Sequence, residues 1–117
     1  MQVTGRVFIK IDGKQLRTKK GAKLKLGGHN RNTIVGHEVH GYAEETVAPE
    51  VECTISHTSQ TDLEAIAASS DVTLTFEADT GQRWVLHNAW LTDTPELNDG
   101  EGEVPLKFAA MRHERAN

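Results

Sequence analysis

One cysteine, three prolines and six aromatic side chains are spread over 117 residues. With Cys53 alone, no intrachain disulfide can form, which points to assembly in a reducing compartment. No stretch approaches the roughly 20 apolar residues of a membrane span. The opening MQVTGRVFIK also lacks an apolar core of signal-peptide length. The expectation is a soluble protein made in the cytoplasm. Apolar residues make up 37% and aromatics 5%, enough for the modest core of one domain, taken as 1–117. Burial against further copies of the chain would relieve that shortage.

Acidic residues are scarce in one region. From Met1 to Arg31 there is a single acid, Asp12, against nine basic residues (Arg6, Lys10, Lys14, Arg17, Lys19, Lys20, Lys23, Lys25 and Arg31), a charge of +8. The whole chain carries −4, so the remainder carries −12. A basic third can be a nucleic-acid footprint. Alternatively, basic and acidic regions can face each other across a head-to-tail contact between identical copies, with charge setting the register. No aromatics interleave with the lysines, which weakens the first reading, because single-strand binders stack bases on such side chains.

Gly27 to Gly41 (GGHNRNTIVGHEVHG) has neither helical nor strand periodicity and reads as a long loop. Loops beyond about 12–15 residues are uncommon in compact domains and are usually functional or disordered. The apolar Ile34 and Val35 have no purpose in a freely solvated loop. A segment that leaves its own domain and is buried on a neighbouring copy accounts for both facts.

Elsewhere the pattern is that of short strands. Val7, Ile9 and Ile11 alternate with Arg6, Phe8 and Lys10, and Asp12-Gly13 supplies a hairpin turn. A short polar arm (14–18) and a strand over 22–26 follow. Residues 42–47 and 51–58 read as extended, with Val51, Cys53 and Ile55 on one face and Glu50, Glu52, Thr54 and Ser56 on the other. Thr61-Asp62-Leu63-Glu64 matches a capping box and predicts a short helix over 62–68. Strands over 72–78 and 83–91 form a hairpin around Asp79-Thr80-Gly81. A three-residue loop there pairs Phe76 with Trp84, Leu74 with Leu86, Glu77 with Arg83 and Val72 with Asn88. An acidic loop (93–102) precedes a last strand through Val104, Leu106 and Phe108, and the polar tail 111–117 is expected to be loose. The sum is a mainly β domain, a small sandwich or barrel with one short helix.

Catalytic chemistry finds little support. His37-Glu38-Val39-His40 falls one position short of the helical H-E-x-x-H zinc motif. His29 and His57 could join these two histidines only through folding the sequence does not reveal. Cys53 and His57 share a strand face but lie roughly 13 Å apart along it, too far for direct activation. Cys53 is more simply a small buried hydrophobe. No glycine pattern fits a phosphate-binding loop. No catalytic residue, metal ligand or cofactor is assigned.

Several strings resemble the tail tube proteins of Mu-like bacteriophages: GRVFIKIDG (5–13), GYAEE (41–45), VECTISHT (51–58), DTG (79–81), GEGEV (100–104) and LKF (106–108). The resemblance runs in order over nearly the whole chain. It implies six-membered rings stacked into a hollow tube in a virion tail, a conduit for DNA during ejection. It also implies sheath, baseplate and tail-terminator proteins as partners, with no sequence-specific contact to the DNA. On that model the 27–41 loop reaches the adjacent ring, with Asn30, Arg31, Ile34, Val35 and His37 as contact residues. Glu50, Glu52, Thr54, Ser56, Thr73, Thr75 and Glu77 are the candidate lining of the bore. Carboxylates and hydroxyls repel or hydrate phosphates, whereas lysines would hold them. The competing function is a small nucleic-acid-binding module using the basic third.

Overall fold

The computed structural model describes residues 1–100 and 102–116. Ten strands and one helix follow in the order β1 (Val7–Ile11), β2 (Lys14–Gln15), β3 (Lys23–Lys25), β4 (Gly28–Val35), β5 (Val39–Val47), β6 (Glu50–Ser56), α1 (Leu63–Ala67), β7 (Val72–Ala78), β8 (Arg83–Leu91), β9 (Glu103–Ala109) and β10 (Arg112–Arg115). All pairings are antiparallel. The main sheet runs β2-β1-β7-β8-β9-β6-β3, with β10 also on β8, and it folds over on itself into a barrel-like sandwich. The bend lies in β8, which pairs with β7 and β10 along most of its length but with β9 only at Trp90 and Leu91.

Strict alternation builds the core. Val51, Cys53 and Ile55 of β6, with Val104, Leu106 and Phe108 of β9, meet Ile9 of β1, Leu74 and Phe76 of β7 and Leu86 of β8. Each of these is buried, and Ile9, Leu74, Leu86 and Phe108 are completely so. Phe76 and Trp84 meet edge to face with centroids 6.3 Å apart, a favoured aromatic geometry. The Cys53 thiol is pushed up to about 12 by burial, so it is an unreactive apolar filler.

Turn chemistry sets the registers. Asp12 (φ 48°) and Gly13 (φ 87°) close the β1–β2 hairpin, two consecutive left-handed residues of the kind such turns require. Asp12 is held there because its carboxylate accepts the Thr73 amide at 2.9 Å. In the β7–β8 hairpin Gly81 has φ 101°, and Phe76–Trp84, Leu74–Leu86 and Glu77–Arg83 pair as the sequence predicts. Val72 does not face Asn88. Asn88 bulges out with φ 54° and donates to the Asp71 carboxylate at 2.7 Å, so Ala89 takes the place opposite Val72 and is fully buried.

Three further expectations are corrected. The N-cap of α1 is Asp62, whose carboxylate accepts the Ala65 amide, not Thr61. The Thr61 hydroxyl instead accepts the Thr58 amide, and the helix is the shorter 63–67. The 111–117 tail is not loose as a whole, because β10 pairs with β8 from Arg112 to Arg115. The 27–41 segment is not an irregular loop. It forms β4, the turn 36–38 and the start of β5, a regular two-stranded hairpin with a bulge between Ile34 and Val35.

That hairpin gives the molecule its shape, 60 × 36 × 28 Å, with a radius of gyration of 16.8 Å. A compact domain of this length would have about 13–14 Å. Truncating Leu74 to Ala should cost about 2–5 kcal/mol of stability in a denaturant titration, because it opens a cavity in a closed core. Val39→Ser on the exposed hairpin should stay within about 0.5 kcal/mol in the isolated subunit. A large Val39→Ser loss would show that the hairpin packs on its own body.

Candidate functional site

The hairpin is an arm without a core. Every residue of β4 is exposed, and so is all of β5 except its last residue, Val47. Two-stranded hairpins are at best marginally stable alone in water, so local contacts must stiffen this one. Arg31 pairs with Glu44 at 3.8 Å and stacks its guanidinium over Tyr42, 5.5 Å from the ring centre. Asn32 donates to Glu45 on the other face. The ladder also continues in the register of the body, since Lys25 faces Glu50 and Gly28 faces Val47. Between those pairs the chains pass close: a Cβ on Gly27 would lie 2.6 Å from Pro49 Cδ. The Gly27 amide donates to His113 Nδ1 at 3.1 Å, so β10 anchors the root of the arm.

At the far end Ile34, Val35 and Val39 are 46%, 66% and 69% exposed, an apolar tip left largely open among the described residues. Of the residues expected to make contacts there, Asn30 and Ile34 lie on one face and Arg31 on the other, while His37 occupies the turn. Exposed Tyr42 and Val39 also lie on the arm, Val39 within the 27–41 segment and Tyr42 just beyond it, and neither is among the contact residues expected from the sequence. Among the described residues, no group of three or more His, Cys, Asp or Glu is placed to hold a metal ion.

The two polar rows proposed as a bore lining fall on opposite halves of the folded main sheet. Thr73, Thr75 and Glu77 point outward from β7, and Glu50, Glu52, Thr54 and Ser56 point outward from β6. A single core lies between β7 and β6, so the rows face away from each other. The β7 row has exposed Phe8 beside Glu77 and half-buried Val85 beside Thr75. The β6 row sits in a charged ladder. Lys107 reaches Glu50 and Glu52 at 3.9 and 3.8 Å, while Lys23 and Lys25 stand opposite Glu52 and Glu50. That face is thus charge-balanced, not purely acidic.

The basic third is likewise partly neutralised. Arg6, Lys10, Lys19 and Arg31 pair with Asp79, Glu77, Glu103 and Glu44. Four of its nine cations are therefore engaged within the chain.

Solved structures that share this fold come from contractile injection systems. The fold matches the sheath/tube terminator of an extracellular contractile injection system, PVC, in its extended state, with a TM-score of 0.63. Sequence identity is 12%, and the match covers 96% of this chain and 94% of that one. The phage tail tube protein family model matches residues 1–115. The tail tube protein of Escherichia phage Mu is 36% identical over 114 residues, covering 97% of this chain and 95% of that protein. The Mu-like prophage FluMu tail tube protein of Haemophilus influenzae is 32% identical over 97% of this chain and 96% of its own. The chain belongs to the phage tail tube protein family, structural components of the virion tail.

The arm's anchor should respond to pH. Glu114 on β10 accepts a 2.7 Å hydrogen bond from His87, and that bond is the main reason its pKa is lowered from 4.5. A carboxylate depressed in the fold stabilises it above its unfolded pKa, and the contribution disappears as pH falls through the lowered folded value. Protection of the β10 amides, exchange measured against its intrinsic rate at each pH, should therefore fall below about pH 4.5 in the native chain. In Glu114→Gln protection should be lower already at neutral pH and largely insensitive to this range. Equal exchange in the two proteins at neutral pH would remove the anchor from the account.

Proposed function

We propose that this chain assembles into six-membered rings that stack into the tail tube, through which the genome passes during ejection. The observation that carries this reading is the arm: twenty residues of β-hairpin, 28–47, whose apolar tip is left largely open among the described residues. A neighbouring ring supplies that cover. Family membership supports a tube-forming role, and the resemblance to Mu-like tail tubes supports the ring and its six copies. A structural part needs no catalytic site, and the chain acts without a cofactor. Sheath, baseplate and terminator proteins are its partners, and assembly takes place in the bacterial cytoplasm.

Of the two outward rows, we place the β6 row in the bore. Its cross-strand neighbours are Lys23, Lys25, Lys107, Glu103, Pro105 and the small, buried Ala109, without exposed large apolar groups. Held between two carboxylates, Lys107 is a poor partner for phosphate, so DNA gains little by stopping there. The β7 face, with Phe8 37% exposed, suits contact with protein.

Ile34→Asp, or removal of residues 33–39, should leave a subunit with native circular dichroism that makes no long tubes. Negative-stain micrographs decide the point, and tubes of undiminished length from either variant would refute the arm's role. A monomer that shifts DNA in a salt-sensitive gel assay would favour the nucleic-acid-binding module instead.

A further inference from the structure

The segment that follows β8 runs along the outer side of β9, tied by the Thr92 amide to Lys107 O (2.9 Å) and by the Asn98–Glu103 bridge. On the far side of the same sheet, β3 is the last strand, and its outer edge carries no further strand. Lys20, Lys23 and Lys25 are exposed at that edge, and Asp93, Glu96 and Asp99 are exposed at the other. None of these six makes an ion pair with another described residue. Between the two rims lies a trough of about 650 Å³ floored by Glu52, Thr54, Pro105 and Lys107. Three inter-strand steps of about 4.8 Å separate the rims, too far for direct pairing within one copy.

We propose that these are the two halves of the lateral joint of the ring: the lysine edge of β3 in one copy receives the acidic 93–99 segment of the next. The occupant is a second copy of this chain, chosen by charge complementarity between surfaces that each lack a partner at home. Because the two edges differ, the contact is head-to-tail, and its repetition closes a ring where a two-fold contact would stop at a dimer. Charge also fixes the register and disfavours like-edge pairing. The joint rests on the tube reading and names the residues that hold neighbours together within a ring.

Three proteins test it. One variant carries Lys20→Glu, Lys23→Glu and Lys25→Glu, which makes both edges acidic. The other carries Asp93→Lys, Glu96→Lys and Asp99→Lys, which makes both edges basic. Each alone should lose rings and tubes, whereas an equimolar mixture should recover them by alternating around an even-numbered ring. A third, Lys23→Gln with Lys25→Gln, avoids placing new carboxylates beside Glu50 and Glu52. It should assemble less readily than the native chain at low salt, and the difference should shrink as salt rises and screens the native pairs. Melting curves confirm that each subunit is folded. Normal rings from the separate charge-reversed proteins, or no recovery on mixing, would overturn the joint while leaving the tube standing. Failure of the native chain to form rings at all would instead refute the tube reading.

Discussion

The ladder between β3 and β6 is the constraint on which the other features depend. It fixes the register of the arm, since β4 and β5 continue the pairing that begins at Lys23 and Glu52. It also turns Val51, Cys53 and Ile55 inward while Glu50, Glu52 and Thr54 point outward. A slip of one residue would exchange those faces and bury carboxylates in the core. Thr18, bridged to Ile55, and Lys19, whose amide bonds Thr54 O, extend the same pairing and bind the basic segment to the sheet. The arm thus extends the body's own hydrogen-bonded edge, and force at its tip passes into the core strands without crossing a flexible linker.

Division into a closed core and an uncovered arm explains why so small a chain can serve in a stiff structure. The body has too few aromatic residues to grow a larger interior, and its core is complete with side chains such as Ile9, Leu86 and Phe108. Material beyond that core goes into the 28–47 hairpin, which would gain further stability if, as we propose, another copy buries it. Rigidity would then come from the number of copies joined and not from the stability of any one. His113, holding the amide of Gly27, lets the last strand of the chain brace the arm at its narrowest point, where Pro49 and Gly27 nearly touch.

Those parts of the fold that depend on one chain were legible in the sequence. Alternation located β1, β6, β7, β8 and β9 because their inward rows are apolar, and Asp12-Gly13 and Asp79-Thr80-Gly81 carried their turns openly. The arm was misread as irregular because neither of its faces meets its own core, so selection by burial left no two-residue rhythm in Gly28–Val35. For the same reason β10 looked like a loose tail: Arg112, Glu114 and Arg115 are exposed polar residues held by backbone pairing to β8. The bulge at Asn88 was hidden because an asparagine in a strand is compatible with either register until Asp71 supplies its partner. Neither outward row announces which way it faces in an assembly. Alternation separates inside from outside, but it does not distinguish one outside from another.

The charge asymmetry was equally visible, but its meaning required topology. Along the chain it reads as a basic third followed by an acidic remainder, which fits nucleic-acid binding as well as self-association. The structure divides that third into two groups. Arg6, Lys10 and Lys19 are paired with acids from distant parts of the chain, which ties the N-terminal segment to the body, while Arg31 pairs with Glu44 within the arm. Of the five left over, Lys23 and Lys25 lie on β3 with Lys20 just before it, one full sheet width from the acids after β8. If a neighbour's acids neutralise that edge, as we propose, the cations nearest the β6 row are removed from competition for phosphate. Glu50 and Glu52 are then left to face the bore with Lys107 held between them. On this proposal the contacts that close the ring would therefore also set the charge of its channel.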